Sequence, residues 1–507
     1  MKMKNNDTKR LALAGAFLGM MAPGFAAAEG APVAEKKTQA GYNVLLILAD
    51  DLRADCIGAL GNPHIQTPNI DRLVKHGVAF RNCFIMGSNS PAVCTPSRAM
   101  LMSGRNLYHL PADILGEGKQ PSVPVMSTVL KAAGYETFHY GKDGNVYRPA
   151  SRAFDQSYFF PNHSVKPWTW KQSDEYADKT IEYLRDPARA QRPFFIFLAP
   201  SVPHDPVFPN PADLARYAGD KRPPLPPNVA TDHAALAGFN LIDTNIRHYV
   251  VPGLTTKDSY GQFYTPLQPE QYRDLLIHYY ALVTTFDTAV GRILDELDRT
   301  GAAKNTIVVF TSDNGHSHGD HGLIHKESIY DHDSKVPLII RGPGIPAGQV
   351  RDTYVYLSDL FPTMCEWAGT PVPPTVETKS FAASIADAAK PHRQAVYTAY
   401  RWESRAYRDE EYKLILYNVA GTQARYTQLF HIKDDPFEQR NLAGDPAQAE
   451  RVARMIAQAR ETGRQLGEDD PGCSPGLTFW KDWDQRHAFG PSDVQVLPPK
   501  TKTPKAK

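Results

Sequence analysis

Several short stretches of the chain are apolar at consecutive positions rather than at alternate ones. Residues 44–48, 194–198, 306–310 and 336–340 are of this kind, and a further strand is expected over 135–140, behind a helical segment. Uninterrupted apolar runs of this length predict strands covered on both faces. Between them the period changes. From 270 to 300, Tyr272, Leu275, Leu276, Tyr279, Leu282, Val283, Phe286, Val290, Ile293, Leu294 and Leu297 recur at three- and four-residue intervals, which predicts one long amphipathic helix ended near Gly301. A shorter helix is expected over 69–77, with Thr67 able to cap it, Pro68 suited to its first turn and Gly77 able to end it. Another is expected over 125–133, stopped by Gly134. Helices feeding buried strands imply an α/β fold with a large mixed, mostly parallel sheet sandwiched by helices.

After Gly369 the pattern changes. Pro371, Pro373 and Pro374 lead into shorter, more charged segments. The runs 412–417 and 428–432 suggest an antiparallel sheet, and 447–466 a surface helix. The division expected is a catalytic domain over 29–380, a smaller C-terminal α+β subdomain over 381–497, and a disordered tail over 498–507. At the other end, Lys2, Lys4, Lys9 and Arg10 precede an apolar stretch over 11–25 and the small residues Ala26, Ala27 and Ala28. That is the form of a signal peptide over 1–28, too short to span a bilayer comfortably, and it implies export to the periplasm or beyond.

A net charge of +1 over 507 residues gives no reason to expect nucleic acid or a membrane surface as partner. An anionic substrate would have to be met by a few local cations. The five cysteines (Cys56, Cys83, Cys94, Cys365 and Cys473) are too few for a disulfide framework, although export allows one or two bridges. Their odd number leaves at least one with another fate, and Cys94 has the distinctive neighbourhood.

Ligands of open α/β sheets bind beyond the carboxyl ends of the strands. Here the first strand runs into Asp50 and Asp51, the strand over 135–140 into Lys142, the strand over 194–198 into His204, and the strand over 306–310 into Asp313 and Asn314. One such aspartate is ordinary turn chemistry. Two clusters of hard oxygen donors, which would repel each other without a cation, suit calcium or magnesium.

The segment Cys94-Thr95-Pro96-Ser97-Arg98, continued to Ser103-Gly104-Arg105, resembles the signature of the sulfatase family. In that family a dedicated maturation enzyme oxidises the cysteine to formylglycine. The resemblance extends to the L-A-D-D-L-R stretch around Asp50, to 62–73, to V-P-H-D-P around His204, to S-D-N-G…G-D-H-G-L-I-H-K ending at Lys326, and to 428–442. It implies an alkaline-phosphatase-like core. It also implies a metal shell of Asp50, Asp51, Asp313 and Asn314 completed by Cys94 as formylglycine, with Ca2+ favoured and Mg2+ possible. Arg98 would steady the formylglycine, and Lys142, His204 and Lys326 would hold sulfate and assist departure of the alcohol. An aldehyde hydrate suits the task, because one hydroxyl can attack sulfur and the other can collapse to expel sulfate from carbon.

The activity expected is hydrolysis of sulfate esters, with a sulfated glycan, given export, as the expected substrate. The alternatives are a phosphodiester or phosphonate monoester hydrolase on the same fold and a sulfoglycan-binding protein without turnover. One departure motivates the last. Many sulfatases place a histidine two or three residues after the lysine matched by Lys142, where this chain has Gly144 and Asn145. His316, His318 and His325 are candidates for that role. The four histidines His316, His318, His321 and His325 otherwise read as lining a polar loop, their spacing matching no familiar transition-metal pattern.

Overall fold

The computed structural model describes residues 41–118, 120–160, 169–187, 191–229, 269–419 and 422–488. The expected signal peptide, the lead-in to residue 40 and the tail lie outside them.

Among the described residues, eleven strands precede residue 357: β1 (Asn43–Ala49), β2 (Val78–Phe84), β3 (Gly87–Ser88), β4 (Glu136–Lys142), β5 (Gln156–Phe160), β6 (Phe194–Ala199), β7 (Thr306–Ser312), β8 (Ser317–His318), β9 (Ile324–His325), β10 (Lys335–Arg341) and β11 (Gln349–Tyr356). Eight of them form one sheet in the order β11-β2-β10-β7-β1-β6-β4-β5. Only β10 runs against its neighbours, pairing antiparallel with both β2 and β7. The sheet is therefore mixed and mostly parallel, as the apolar runs imply.

The side chains of β1 explain why alternation is missing. Val44, Leu46 and Leu48 enter one core, while Leu45, Ile47 and Ala49 enter another on the opposite face. Each buried aliphatic side chain is worth about 1.5–3 kcal/mol, so a strand used on both faces stabilises the sheet from two sides. The first core holds α2 (Cys94–Ser103) and α3 (Met126–Ala132). The second holds α1 (Pro68–Lys75) and the long α5 (Pro269–Thr300), against which α4 (Lys171–Arg185) also packs. The predicted helices and strands appear within a few residues of their expected bounds.

A second sheet has the order β16-β15-β14-β13-β12-β3, from β12 (Val396–Tyr400), β13 (Ser404–Arg408), β14 (Tyr412–Asn418), β15 (Ala424–His431) and β16 (His487–Ala488). Strands β12 to β15 are antiparallel, whereas β3 adds to β12 in parallel from far earlier in the chain. Tyr400, Ala406, Ile415, Tyr417 and Phe430 of this sheet join the same apolar cluster as β1 and α2. The helix expected over 447–466 is α6 (Ala449–Gln465).

All five cysteines are free thiols, so no bridge staples the fold. Among the described residues no helix is long and apolar enough to cross a membrane.

Candidate active site

The order β7-β1-β6-β4 makes four adjacent parallel strands end at the same edge of the sheet. Asp313 and Asn314 follow β7, Asp50 and Asp51 follow β1, His204 follows β6, and Lys142 closes β4. Residues up to 264 positions apart in sequence thus come to one place because of strand order alone. The fifth contributor is α2, whose first residue is Cys94. Every residue of α2 is buried, and Gly104 ends it in the left-handed conformation. A Cβ there would lie 2.8 Å from Val376 and 3.0 Å from Phe361, so the position requires glycine twice over.

The thiol of Cys94 is fully buried and turned toward the acidic cluster. Its Sγ lies 3.3 Å from Asp50 Oδ1 and 3.8 Å from Asp51 Oδ1. Lys326 Nζ donates to both Asp51 oxygens at 2.6 and 2.8 Å and lies 3.1 Å from the same sulfur. Arg98 Nε donates to Asp313 Oδ2 at 2.7 Å, with its Nη2 3.6 Å from Asp50 Oδ2. Lys142 pairs with Asp50. His204 Nε2 stands 3.7 Å from Asp51 Oδ2, and its Nδ1 faces the Asp205 carbonyl and carboxylate at 2.6 and 3.0 Å. Asn314 Nδ2 donates to Asp51 Oδ1 at 2.7 Å. Every sequence-predicted site residue is therefore within this constellation.

Three carboxylates and three fixed cations meet here out of water, and the electrostatics record the conflict. Burial pushes the Asp50 carboxyl up, but Lys142, Arg98, His204 and Lys326 together hold it well below the usual range. Asp313 goes the other way: burial and the neighbouring Asp50 raise it despite Arg98 and Lys142. Burial also pushes the Cys94 thiol well up, so the unmodified side chain is a neutral thiol and a poor nucleophile.

The donor set could hold a divalent metal. Asp50, Asp51, Cys94 and His204 each offer a donor atom within 4.8 Å of the others. Asn314 Oδ1 is buried with no hydrogen-bond partner, and Asp51 adopts φ 69°, a strained conformation that turns its carboxylate toward Lys326 and Cys94. An oxygen left unpaired beside crowded carboxylates fits a hard cation.

Some supporting residues carried no readable signal. Tyr279 counts as one more apolar position in the helical pattern, yet its hydroxyl donates to the Asp51 carbonyl at 2.7 Å. Ser97, inside the signature, donates to the Asp313 carbonyl at 2.5 Å. Asp51 N donates to Asp313 Oδ1 at 3.2 Å, tying the two strand ends together. The histidines differ from a polar surface loop: His316 and His318 are buried and packed ring to ring, with His318 4.0 Å from Tyr279. Asn145 is exposed at φ 51°, and the His325 side chain lies outside what is described.

Residues 42–370 match the family model for sulfatases. The chain belongs to the sulfatase family. It is a sulfuric ester hydrolase by that membership, and residues 319–465 also match the C-terminal model of N-sulphoglucosamine sulphohydrolase. This sulfatase is 26% identical to the N-acetylglucosamine-6-O-sulfatase of Bacteroides thetaiotaomicron, over 87% of the chain and 89% of that protein. Two solved structures share its fold. One, bound to its substrate D-glucosamine-2-N,6-O-disulfate, superposes with TM-score 0.71 at 22% identity, covering 86% of this chain and 99% of that one. The other is the phosphonate monoester hydrolase of Agrobacterium radiobacter, with TM-score 0.69 at 22% identity, covering 84% and 96%.

Proposed function

We propose that this chain removes sulfate from a sulfated glycan, using formylglycine made from Cys94 by a maturation enzyme and calcium, or alternatively magnesium, held by Asp50, Asp51, Asp313 and Asn314. The carrying observation is the convergence of Cys94, the acidic cluster and Lys326 at one strand edge. The bound metal would supply fixed positive charge beside the attacking oxygen. The formylglycine hydrate would supply that oxygen and a second hydroxyl whose deprotonation releases sulfate from carbon.

The remaining work belongs to residues of this chain. With the carboxylates committed to a divalent ion, Arg98, Lys142 and Lys326 have charge left for an anion. A sulfuryl group in transfer carries negative charge spread over its oxygens, and cations already fixed in a dry site stabilise it with little reorganisation. Cys94 sits at the amino end of α2, where the helix dipole also favours negative charge. His204, the most solvent-accessible of the group at 14% side-chain exposure, is the group suited to meet the departing alcohol. Burial and Lys326 lower its imidazole, but Asp51, Asp205 and Asp50 raise it above the ordinary value, and Asp205 remains as its acidic partner when a divalent ion takes up Asp50 and Asp51. A protonated imidazole can give its proton to the departing oxygen. Asp205 at Nδ1 fixes the ring orientation.

The glycan assignment draws on the N-acetylglucosamine-6-O-sulfatase relative and the expected export. Its test is sulfate release from 6-O-sulfated N-acetylglucosamine, an aryl sulfate and an aryl phosphodiester, using protein from a host able to form formylglycine. Mass spectrometry of the peptide spanning Cys94 accompanies the assay. Loss of the thiol mass with preferred cleavage of the sulfated sugar is expected. An intact thiol in active protein overturns the nucleophile, and faster phosphodiester cleavage overturns the substrate class.

A further inference from the structure

Three residues outside the catalytic cluster bring metal-binding atoms together. His321 lies in the loop between Asn314 and Lys326, His332 in the short helix Asp331–Ser334, and Glu438 in the turn after β15. One donor atom from each falls within 4.8 Å of the other two. We propose that His321, His332 and Glu438 bind one transition-metal ion of the zinc type, at a site separate from that of Asp50 and Asp51.

The side chains are prepared for such an ion in three respects. First, Nε2 of His332 and Nε2 of His321 are both buried without a hydrogen-bond partner, and the His332 side chain is only 5% exposed. The nearest acidic oxygen to His332 Nε2 is Asp333 Oδ1, at 3.7 Å, beyond hydrogen-bond reach. Two buried ring nitrogens left unpaired are unfavourable, and a shared ligand satisfies both.

Second, burial lowers both imidazoles, His321 to about 4 and His332 to about 3, so both are neutral at physiological pH and carry the lone pair a metal needs. Third, the rings are fixed. Tyr330 stacks on His321 at 3.9 Å between centroids, and the His321 backbone, at φ 50°, is held by a hydrogen bond from its N–H to the Asn228 carbonyl. Two imidazoles and one carboxylate suit zinc, unlike the hard oxygen set at Asp50 and Asp51.

Ligand atoms about 2.0–2.2 Å from a tetrahedral zinc stand about 3.3–3.6 Å apart, so donor atoms now within 4.8 Å of one another need to draw in by up to about 1.5 Å. His332 and Glu438 line a cavity of about 260 Å³ that also touches Arg53, Asn228 and Phe437, which provides an approach and room for a water as fourth ligand. Glu438 Oε2 already accepts from the Asp331 N–H at 2.8 Å, and its Oε1 forms an ion pair with Lys413 Nζ at 2.7 Å. Lys413 also contacts Asp331 Oδ1 at 2.8 Å, so a metal can take over its place on Glu438 without leaving the ammonium unpaired. An ion here would clamp the loop that carries Lys326 to the turn beyond β15.

The test uses the full chain, stripped of metal, then saturated with calcium to fill the hard oxygen site and incubated with zinc. After gel filtration, one zinc per chain is expected, with a higher Tm than with calcium alone. X-ray absorption of the bound zinc should show two imidazoles and no sulfur. His332→Gln and Glu438→Gln should each weaken zinc binding by more than the roughly 10- to 100-fold that loss of an outer partner costs. No retained zinc in the native chain overturns the proposal. So does sulfur in the absorption spectrum, or equal zinc binding by both variants. The native-chain measurements decide the matter even if a variant fails to fold.

Discussion

Replacing Lys326 by methionine removes one charge from the site while keeping most of the side chain's bulk. Its ammonium lies 3.1 Å from the Cys94 sulfur and is 7% exposed as a residue. A sulfuryl sulfur one bond beyond that position would sit about 4 Å from Nζ, where a unit charge at an effective dielectric near 20 contributes about 4 kcal/mol. Loss of a single preorganised donor in comparable sites costs about 2.7–4 kcal/mol, or roughly 100- to 1,000-fold in kcat. The two figures agree, so Lys326→Met is expected to lower kcat/KM on an aryl sulfate by roughly 100- to 1,000-fold. The assay must be normalised to the formylglycine content of each preparation. Stability supplies a second reading, because Asp51 loses its 2.6 and 2.8 Å partner. The variant should melt clearly lower without calcium and close to the parent with calcium saturating, where the ion compensates Asp51. A fully converted Lys326→Met enzyme within threefold of the parent would refute the placement of Lys326 against the transferring group.

Cys94→Ala should reduce sulfate release to the buffer background while the Tm falls by no more than a few degrees, since only one buried sulfur is lost. Removing divalent ions with a chelator should abolish turnover and lower the Tm, and calcium at 100 times its Kd should restore about 2.7 kcal/mol, read by thermal melting. Asp320→Asn should destabilise the fold by about 3 kcal/mol in denaturant unfolding, the lower end for breaking a buried pair, because Arg53 keeps Asp55 as a second partner. Despite burial, the Arg53 guanidinium holds the Asp320 carboxyl far below its ordinary value, so its stabilising contribution is complete above about pH 4 and fades only in stronger acid. The Asp320→Asn deficit should therefore be the same at pH 5 and pH 8.

The strands were legible because 44–48 and 306–310 are apolar on both faces, a pattern that few alternatives explain. The strand-end rule then sufficed to gather Asp50, Asp313, Lys142 and His204 without any contact information. What escaped were pairings that local pattern does not encode. Gly87 and Ser88 join a sheet whose other strands begin at Val396, and no periodicity in two residues announces that. Tyr279 is hydrophobic by period and polar by contact. The histidines near Asp313 looked like loop residues because their neighbours in sequence are polar, yet His316 and His318 are sealed by packing against Tyr279. His321 finds its partners at 332 and 438, so no spacing within its own segment could reveal them.

The complete burial of Cys94 sets an order of events. In the finished fold α2 is buried along its whole length, so its backbone around Cys94 is not available for another enzyme to grip as extended peptide. On the proposed function, a maturation enzyme that grips extended peptide would have to reach this thiol while the segment is still unstructured, before β1 and β7 have come together beside it. Protein that folds first would be trapped in the thiol form, and later exposure to the enzyme would not rescue it.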